Sequence, residues 1–197
     1  GGTLDGRLRE NLPGVPDPRW LSTLGVRFVL TDKTSDAWVD GIFYDRQFQP
    51  ELESGDSLSP AFLPADFEAN ALGLLYQGEG GRVTVVLDSE EVAYDLRSVE
   101  DGASGEGAFR LRWDDVQRVR RLTFEAGTST LHLQGASLVD ERTGAFYPLV
   151  LSDRFQLVHS GDIKIYEDTR EVPWVLALGA CRTARSDSEA VEEMRNP

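Results

Sequence analysis

Aromatic side chains beside carboxylates are the residues of this chain with the clearest chemical use. Tyr94 precedes Asp95 and Trp113 precedes Asp114, and Trp38 and Tyr44 stand nearer the start. A sugar ring is recognised by an aromatic face stacked on its apolar side while carboxylates, amides or Arg exchange hydrogen bonds with its hydroxyls. Tyr94, Asp95, Trp113 and Asp114 are therefore candidate ligand-binding residues. Trp113 also shares the parity of Phe109 and Leu111, so it reads either as a stacking platform or as a core residue. Neighbouring carboxylates have two further uses. Glycoside hydrolysis needs a pair of them, and Asp114-Asp115 and Asp140-Glu141 are such neighbours, although adjacent residues on a strand point to opposite faces. Among 34 acidic residues neighbours of this kind arise by chance, which makes solvated turns the plain reading. Hard oxygen ligands suit calcium, and Asp114, Asp140 and Glu141 are the candidates for it.

Other chemistries lack their residues. A nucleophile elbow needs Gly-x-Ser-x-Gly to hold its strained turn. Gly102-Ala103-Ser104-Gly105-Glu106 misses the last glycine and Gly135-Ala136-Ser137-Leu138-Val139 ends in valine. Gly78-Glu79-Gly80-Gly81-Arg82-Val83 lacks the third glycine of a dinucleotide fingerprint and leads into a strand instead of a helix. His132 and His159 do not stand at a zinc-ligand spacing. Cys181 is the sole cysteine, which excludes an internal disulfide.

The elements that must position the candidate residues follow from pattern and composition. The chain has 197 residues, with 20 Lys and Arg against 34 Asp and Glu and a formal net charge of -14. A basic surface that displaces counterions from phosphates is excluded, and with it nucleic-acid binding of that kind. Docking onto an anionic membrane surface is disfavoured for the same reason. Uncharged stretches such as Val172 to Cys181 and Ala69 to Gly78 fall short of the roughly 20 apolar residues that cross a bilayer. Residues 1 to 19 carry Pro13, Pro16 and Pro18 and read as a linker. The start at Gly1-Gly2-Thr3 and the single Met194 suggest a piece of a longer protein.

Short β-branched and aromatic runs separated by Gly, Asp, Ser and Glu predict strands over 68–76, 82–88, 91–97, 108–113, 119–126, 130–139 and 145–151. Leu122 and Phe124 alternate with Thr123 and Glu125, and Leu131 and Leu133 flank His132, so one face packs on a core and the other meets solvent. That is the signature of an antiparallel sandwich, here expected to be of jelly-roll type. Outside it, Trp20 to Leu24 suggests one helical turn and 25–32 a strand, with an aromatic-rich extended piece over 37–48 and a loop over 51–64. Strands over 155–158, 162–166 and 172–178 and an acidic helix near 186–194 follow. The expected fold is mainly β: a sandwich over 68–151 inserted into a small α+β base formed by residues 1–67 and 152–197.

Three separated segments carry a resemblance. Leu24-Gly25-Val26-Arg27-Phe28-Val29-Leu30-Thr31-Asp32 resembles the "LGVRYVLTD" strand in the large extracytoplasmic part of YfhO-like polytopic bacterial membrane proteins, which are related to GT-C glycosyltransferases. Gly161-Asp162-Ile163-Lys164-Ile165-Tyr166-Glu167-Asp168 is similar to their "G-x-(V/I)-K-(V/I)-Y-E-N" motif, with Asp168 in place of Asn. Val172-Pro173-Trp174-Val175-Leu176-Ala177 stands where they carry "LPRAFLV", and Ser188 to Pro197 resembles their closing acidic helix. The resemblance implies an extracytoplasmic domain tethered to the transmembrane part of its parent, with a galactose-binding-like insertion. It brings over no catalytic residue. The expected role is to bind or position an envelope glycan, a lipid-linked sugar or a partner protein. A polysaccharide hydrolase using paired carboxylates and a purely structural assembly domain are the alternatives.

Overall fold

The computed structural model describes residues 26–78, 80–96 and 109–170. Among them every regular element is a strand: β1 (Phe28–Thr31), β2 (Ala37–Val39), β3 (Ile42–Tyr44), β4 (Glu51–Leu52), β5 (Ser57–Leu58), β6 (Glu68–Gly78) and β7 (Gly81–Leu87), then β8 (Glu91–Leu96), β9 (Phe109–Ala126), β10 (Leu131–Asp140), β11 (Ala145–Leu149), β12 (Phe155–Ser160) and β13 (Lys164–Asp168). The main sheet has eight strands in the order β11-β10-β6-β9-β7-β8, with β4 added to β10 and β5 to β9. Every pairing is antiparallel, and the sheet curls into a half-barrel. This is the mainly β, sandwich-like architecture that the alternation implies.

One long strand makes the curl. The sequence suggests separate strands over 108–113 and 119–126, with a turn at Asp114-Asp115. The chain instead runs on as β9, whose first half pairs with β6 and whose second half pairs with β7. The Asp pair marks a break in the ladder and not the end of the strand. Ala69 faces Gln117 while Ala71 faces Arg112, so residues 113–116 form a bulge, and a bulge bends its strand and increases twist. Trp113 turns into the core at this bend, its indole N–H donating to the Ala69 carbonyl at 2.9 Å.

The concave side is closed by Leu72, Leu74, Val83, Val85, Leu122, Phe124, Leu131, Leu133 and Leu138, all nearly inaccessible to water. Each such side chain contributes about 1.5–3 kcal/mol of burial. On the other face of β6 and β10 lies the β2-β3 hairpin. Its turn is Asp40-Gly41, both at positive φ, 51° and 77°, as a two-residue type I′ connection requires. Tyr44 of β3 lies on two glycines of the sheet below. A Cβ on Gly73 would stand 2.4 Å from the Tyr44 Oη and one on Gly135 would stand 3.1 Å from the Tyr44 Cβ. The Ser137 hydroxyl donates to the Phe43 carbonyl at 2.6 Å and ties the hairpin to β10.

A second, three-stranded sheet has the order β1-β13-β12. It joins three of the four strands expected outside the sandwich; the fourth, over 172–178, lies outside the described residues. So do the helical turn at Trp20 and the C-terminal helix, and the described residues of the flanks contain strands only. The two extended segments quoted for the family resemblance become neighbours here. Phe28 pairs with Glu167, Val29 with Tyr166, Leu30 with Ile165 and Thr31 with Lys164, and the Arg27 guanidinium meets the Glu167 carboxylate at 2.7 Å.

The contact between Tyr44 and Gly73 yields a test. Gly73→Ala forces the Tyr44 ring to move and is expected to cost about 1–3 kcal/mol, the usual penalty of overpacking. In the Tyr44→Phe background the same substitution should cost measurably less, because the clashing oxygen is gone. Equal losses in both backgrounds, read by urea denaturation, would refute this packing.

Candidate functional site

The four sugar-site candidates fall in different settings. Tyr94 on β8 is half-buried against the core, its hydroxyl donating to the Arg112 carbonyl of β9. Burial raises its pKa. Asp95, the next residue, points the other way into solvent and pairs with Arg82 at 3.0 Å. Trp113 is buried, which is the core alternative for that residue. Asp114 is exposed on the β9 bulge. Tyr94 and Trp113 therefore do not share an open platform.

The calcium candidates are not brought together. The Asp140 carboxylate accepts from the Arg142 backbone N–H and guanidinium and from the Thr143 hydroxyl at 3.0–3.1 Å, closing the turn into β11. Glu141 lies between Arg112, at 2.8 Å, and Arg110, at 3.3 Å. Its backbone N–H donates to the Asn70 side chain at 2.8 Å. Among the described residues no group of three or more His, Cys, Asp or Glu is placed to hold a metal ion.

The open aromatic surface lies on the hairpin. Trp38 of β2 is 67% exposed, the highest value among the large hydrophobic side chains of the described residues. It is not loose. Phe43 lies directly opposite on β3 with its ring centroid 5.5 Å away, and Phe146 of β11 presents an edge at 5.4 Å. Period-two alternation explains the arrangement, since Val39, Ile42 and Tyr44 face the sheet while Trp38 and Phe43 face away. The hairpin tip beside this platform is held by Arg110, which donates to the Asp40 carbonyl at 3.2 Å and also binds Glu141. An aromatic face next to a network of guanidinium and carboxylate groups is the combination that binds saccharides. Trp38 was visible in the sequence as an aromatic residue, but its exposure follows from the hairpin turn at Asp40-Gly41.

A second constellation is buried and escaped the sequence reading. β13 turns Lys164, Tyr166 and Asp168 inward. The Lys164 ammonium, 1% exposed, lies 2.5 Å from Asp36 Oδ1 and 3.0 Å from Asp45 Oδ2. The Tyr166 hydroxyl donates to Asp45 Oδ2 at 2.7 Å; burial, reinforced by the negative charge of Asp45, raises its pKa far above the ordinary tyrosine range. Asp168 pairs with the buried Arg154. Lys-x-Tyr-x-Asp was the available signal, but the partner carboxylates lie more than a hundred positions away.

Compared with protein families, with curated proteins and with solved structures, the chain matches none. Among the described residues no helix is long and apolar enough to cross a membrane.

Acid titration tests the surface pairs. A hydrogen bond from Arg112 holds the Glu141 carboxyl below its ordinary value of 4.5, and one from Arg27 does the same for Glu167. A carboxylate with a depressed folded-state pKa contributes stability above its unfolded pKa and loses it as pH falls through the folded value. Stability is expected to fall as the pH drops below about 4.5, and Arg112→Met should reduce that fall. An Arg112→Met profile parallel to that of the parent would show that the pair makes no contribution.

Proposed function

We propose that this chain is a non-catalytic extracytoplasmic domain of a multi-pass membrane protein, and that it binds or positions an envelope glycan through Trp38. The observation that carries the binding is the exposed indole, braced by Phe43 and Phe146 on a hairpin that is itself packed on the sheet. A residue fixed before the ligand arrives loses little conformational entropy on binding. Arg110, Arg112 and Glu141 beside the hairpin tip supply donors and acceptors for ring hydroxyls.

The membrane context rests on the resemblance of residues 24–32 and 161–168 to the YfhO-like proteins. It gains support from their direct pairing as β1 and β13, since two motifs that share a ladder form one structural unit. A role without catalysis is favoured by the acidic residues. A glycosidase needs one carboxyl kept protonated to donate to the leaving oxygen. Hydrogen bonds from Arg142 and Arg112 instead lower the pKa values of Asp140 and Glu141, and Asp114 and Asp115 both face solvent on the bulge.

Titration with a panel of mono- and oligosaccharides, followed by tryptophan fluorescence and by thermal unfolding, tests the reading. At least one saccharide should bind, and Trp38→Ala should weaken it about tenfold or more, equivalent to about 1.4 kcal/mol. The variant should still fold, with only the modest loss of stability that follows from its lost ring contacts with Phe43 and Phe146. Tyr94→Ala should leave the affinity unchanged, and binding should be equal with calcium and with EDTA. No response across the panel would replace glycan binding with a structural or protein-docking role.

A further inference from the structure

The inward face of β13 brings a primary amine, Lys164, against the carboxylates of Asp36 and Asp45, away from water. Lys164 is withdrawn from water, with the Phe43 ring centroid 5.4 Å from its Nζ. The two carboxylates it meets are held differently. Asp45 is oriented by three donors: Lys164 at 3.0 Å and the Tyr166 hydroxyl at 2.7 Å on Oδ2, and the Gln47 backbone N–H at 3.0 Å on Oδ1. Asp36 meets the amine through Oδ1 at 2.5 Å, while its Oδ2 is buried and finds no donor among the described residues. A buried acceptor without a partner keeps its full desolvation cost, and a reaction that turns the carboxylate into a neutral amide lowers it.

Amine and carboxylate do not condense in water, where both are hydrated ions and water is in large excess. Here the folded chain supplies what solution lacks. Burial removes the hydration that stabilises the separate charges, and water is excluded from the pair. Groups held within about 3–3.5 Å react as if at effective concentrations of about 10⁵–10⁸ M.

We propose that Lys164 and Asp36 form an intramolecular isopeptide bond, with Asp45 as the group that carries the protons. Asp45 takes one proton from the Lys164 ammonium and delivers it to Asp36 Oδ1, the other oxygen that meets the same nitrogen. The freed nitrogen lone pair attacks Asp36 Cγ, forming the N–C bond of a tetrahedral intermediate. Asp45 then accepts a second proton from nitrogen and returns it to Oδ1 as the C–Oδ1 bond breaks. One water leaves, Asp45 ends as the carboxylate it began as, and no oxidant or co-reactant is consumed. Tyr166 acts through Asp45 as a positioning residue. The product joins positions 128 residues apart and ties β13 to the base of the β2-β3 hairpin. Like a disulfide closing a long loop, it restricts the unfolded chain.

The intact mass of the purified chain under denaturing conditions is the test. It should lie the mass of one water, about 18 Da, below the unmodified value. Digestion with trypsin should give a branched peptide that contains both Asp36 and Lys164, uncut after Lys164. Lys164→Arg and Asp36→Ala should restore the full mass, and Asp45→Ala, which keeps both reacting groups, should leave most of the chain at full mass. The wild-type mass needs no variant, so a variant that fails to fold leaves the test intact. Full mass in the folded wild-type chain after prolonged incubation would overturn the proposal, as would a water loss mapped to any other pair of residues.

Discussion

A lysine taken out of water must be met by negative charge, and the arrangement around Lys164 follows from that requirement. An isolated buried ammonium is strongly unfavourable. Asp36 stands just before β2 and Asp45 just after β3, so both carboxylates come from the open end of one hairpin. Lys164 is on the central strand of the small sheet. The charge requirement therefore fixes where that sheet lies against the hairpin. Phe48 completes the seam, with ring centroids 5.2 Å from Phe155 and 5.0 Å from Tyr166.

The hairpin is the shared part. Its inner face, through Ile42 and Tyr44, packs on β6 and β10, where Gly73 and Gly135 leave room for the tyrosine ring. Its outer face carries Trp38 and Phe43, and Phe43 lies between the exposed indole and the buried ammonium. Among the described residues the Tyr44 hydroxyl has no hydrogen-bond partner, and burial pushes its pKa up to about 12. The aromatic platform thus rests on the same two short strands that supply the carboxylates for Lys164, which links the proposed binding surface to the stability of the seam.

Alternation made much of this legible. Leu122 with Phe124, and Leu131 with Leu133, have the buried parity that the sequence implies, and most strand limits agree within a few residues. Two features were hidden for physical reasons. Asp114-Asp115 has the composition of a turn, yet the acidic pair is accommodated on an exposed bulge while β9 continues. At β13 the usual polarity is reversed: Ile163, just before the strand, is exposed while Lys164, Tyr166 and Asp168 are inside. Hydrophobic period alone assigns such a strand the wrong way round, because Lys164 and Tyr166 have their partners, Asp36 and Asp45, in a distant segment. The exposure of Trp38 follows from the local Asp40-Gly41 turn, but its bracing by Phe146 of β11 had no local mark.

The central claim is that the buried charges make the small sheet and the half-barrel one cooperative unit. Native-state hydrogen exchange measures this directly, because it reports the opening free energy of each amide. The amides of β1, β12 and β13 should exchange with the same free energy and denaturant dependence as those of β6, β9 and β10. Exchange of the small sheet through a separate opening, at markedly lower free energy while the half-barrel stays closed, would contradict the account.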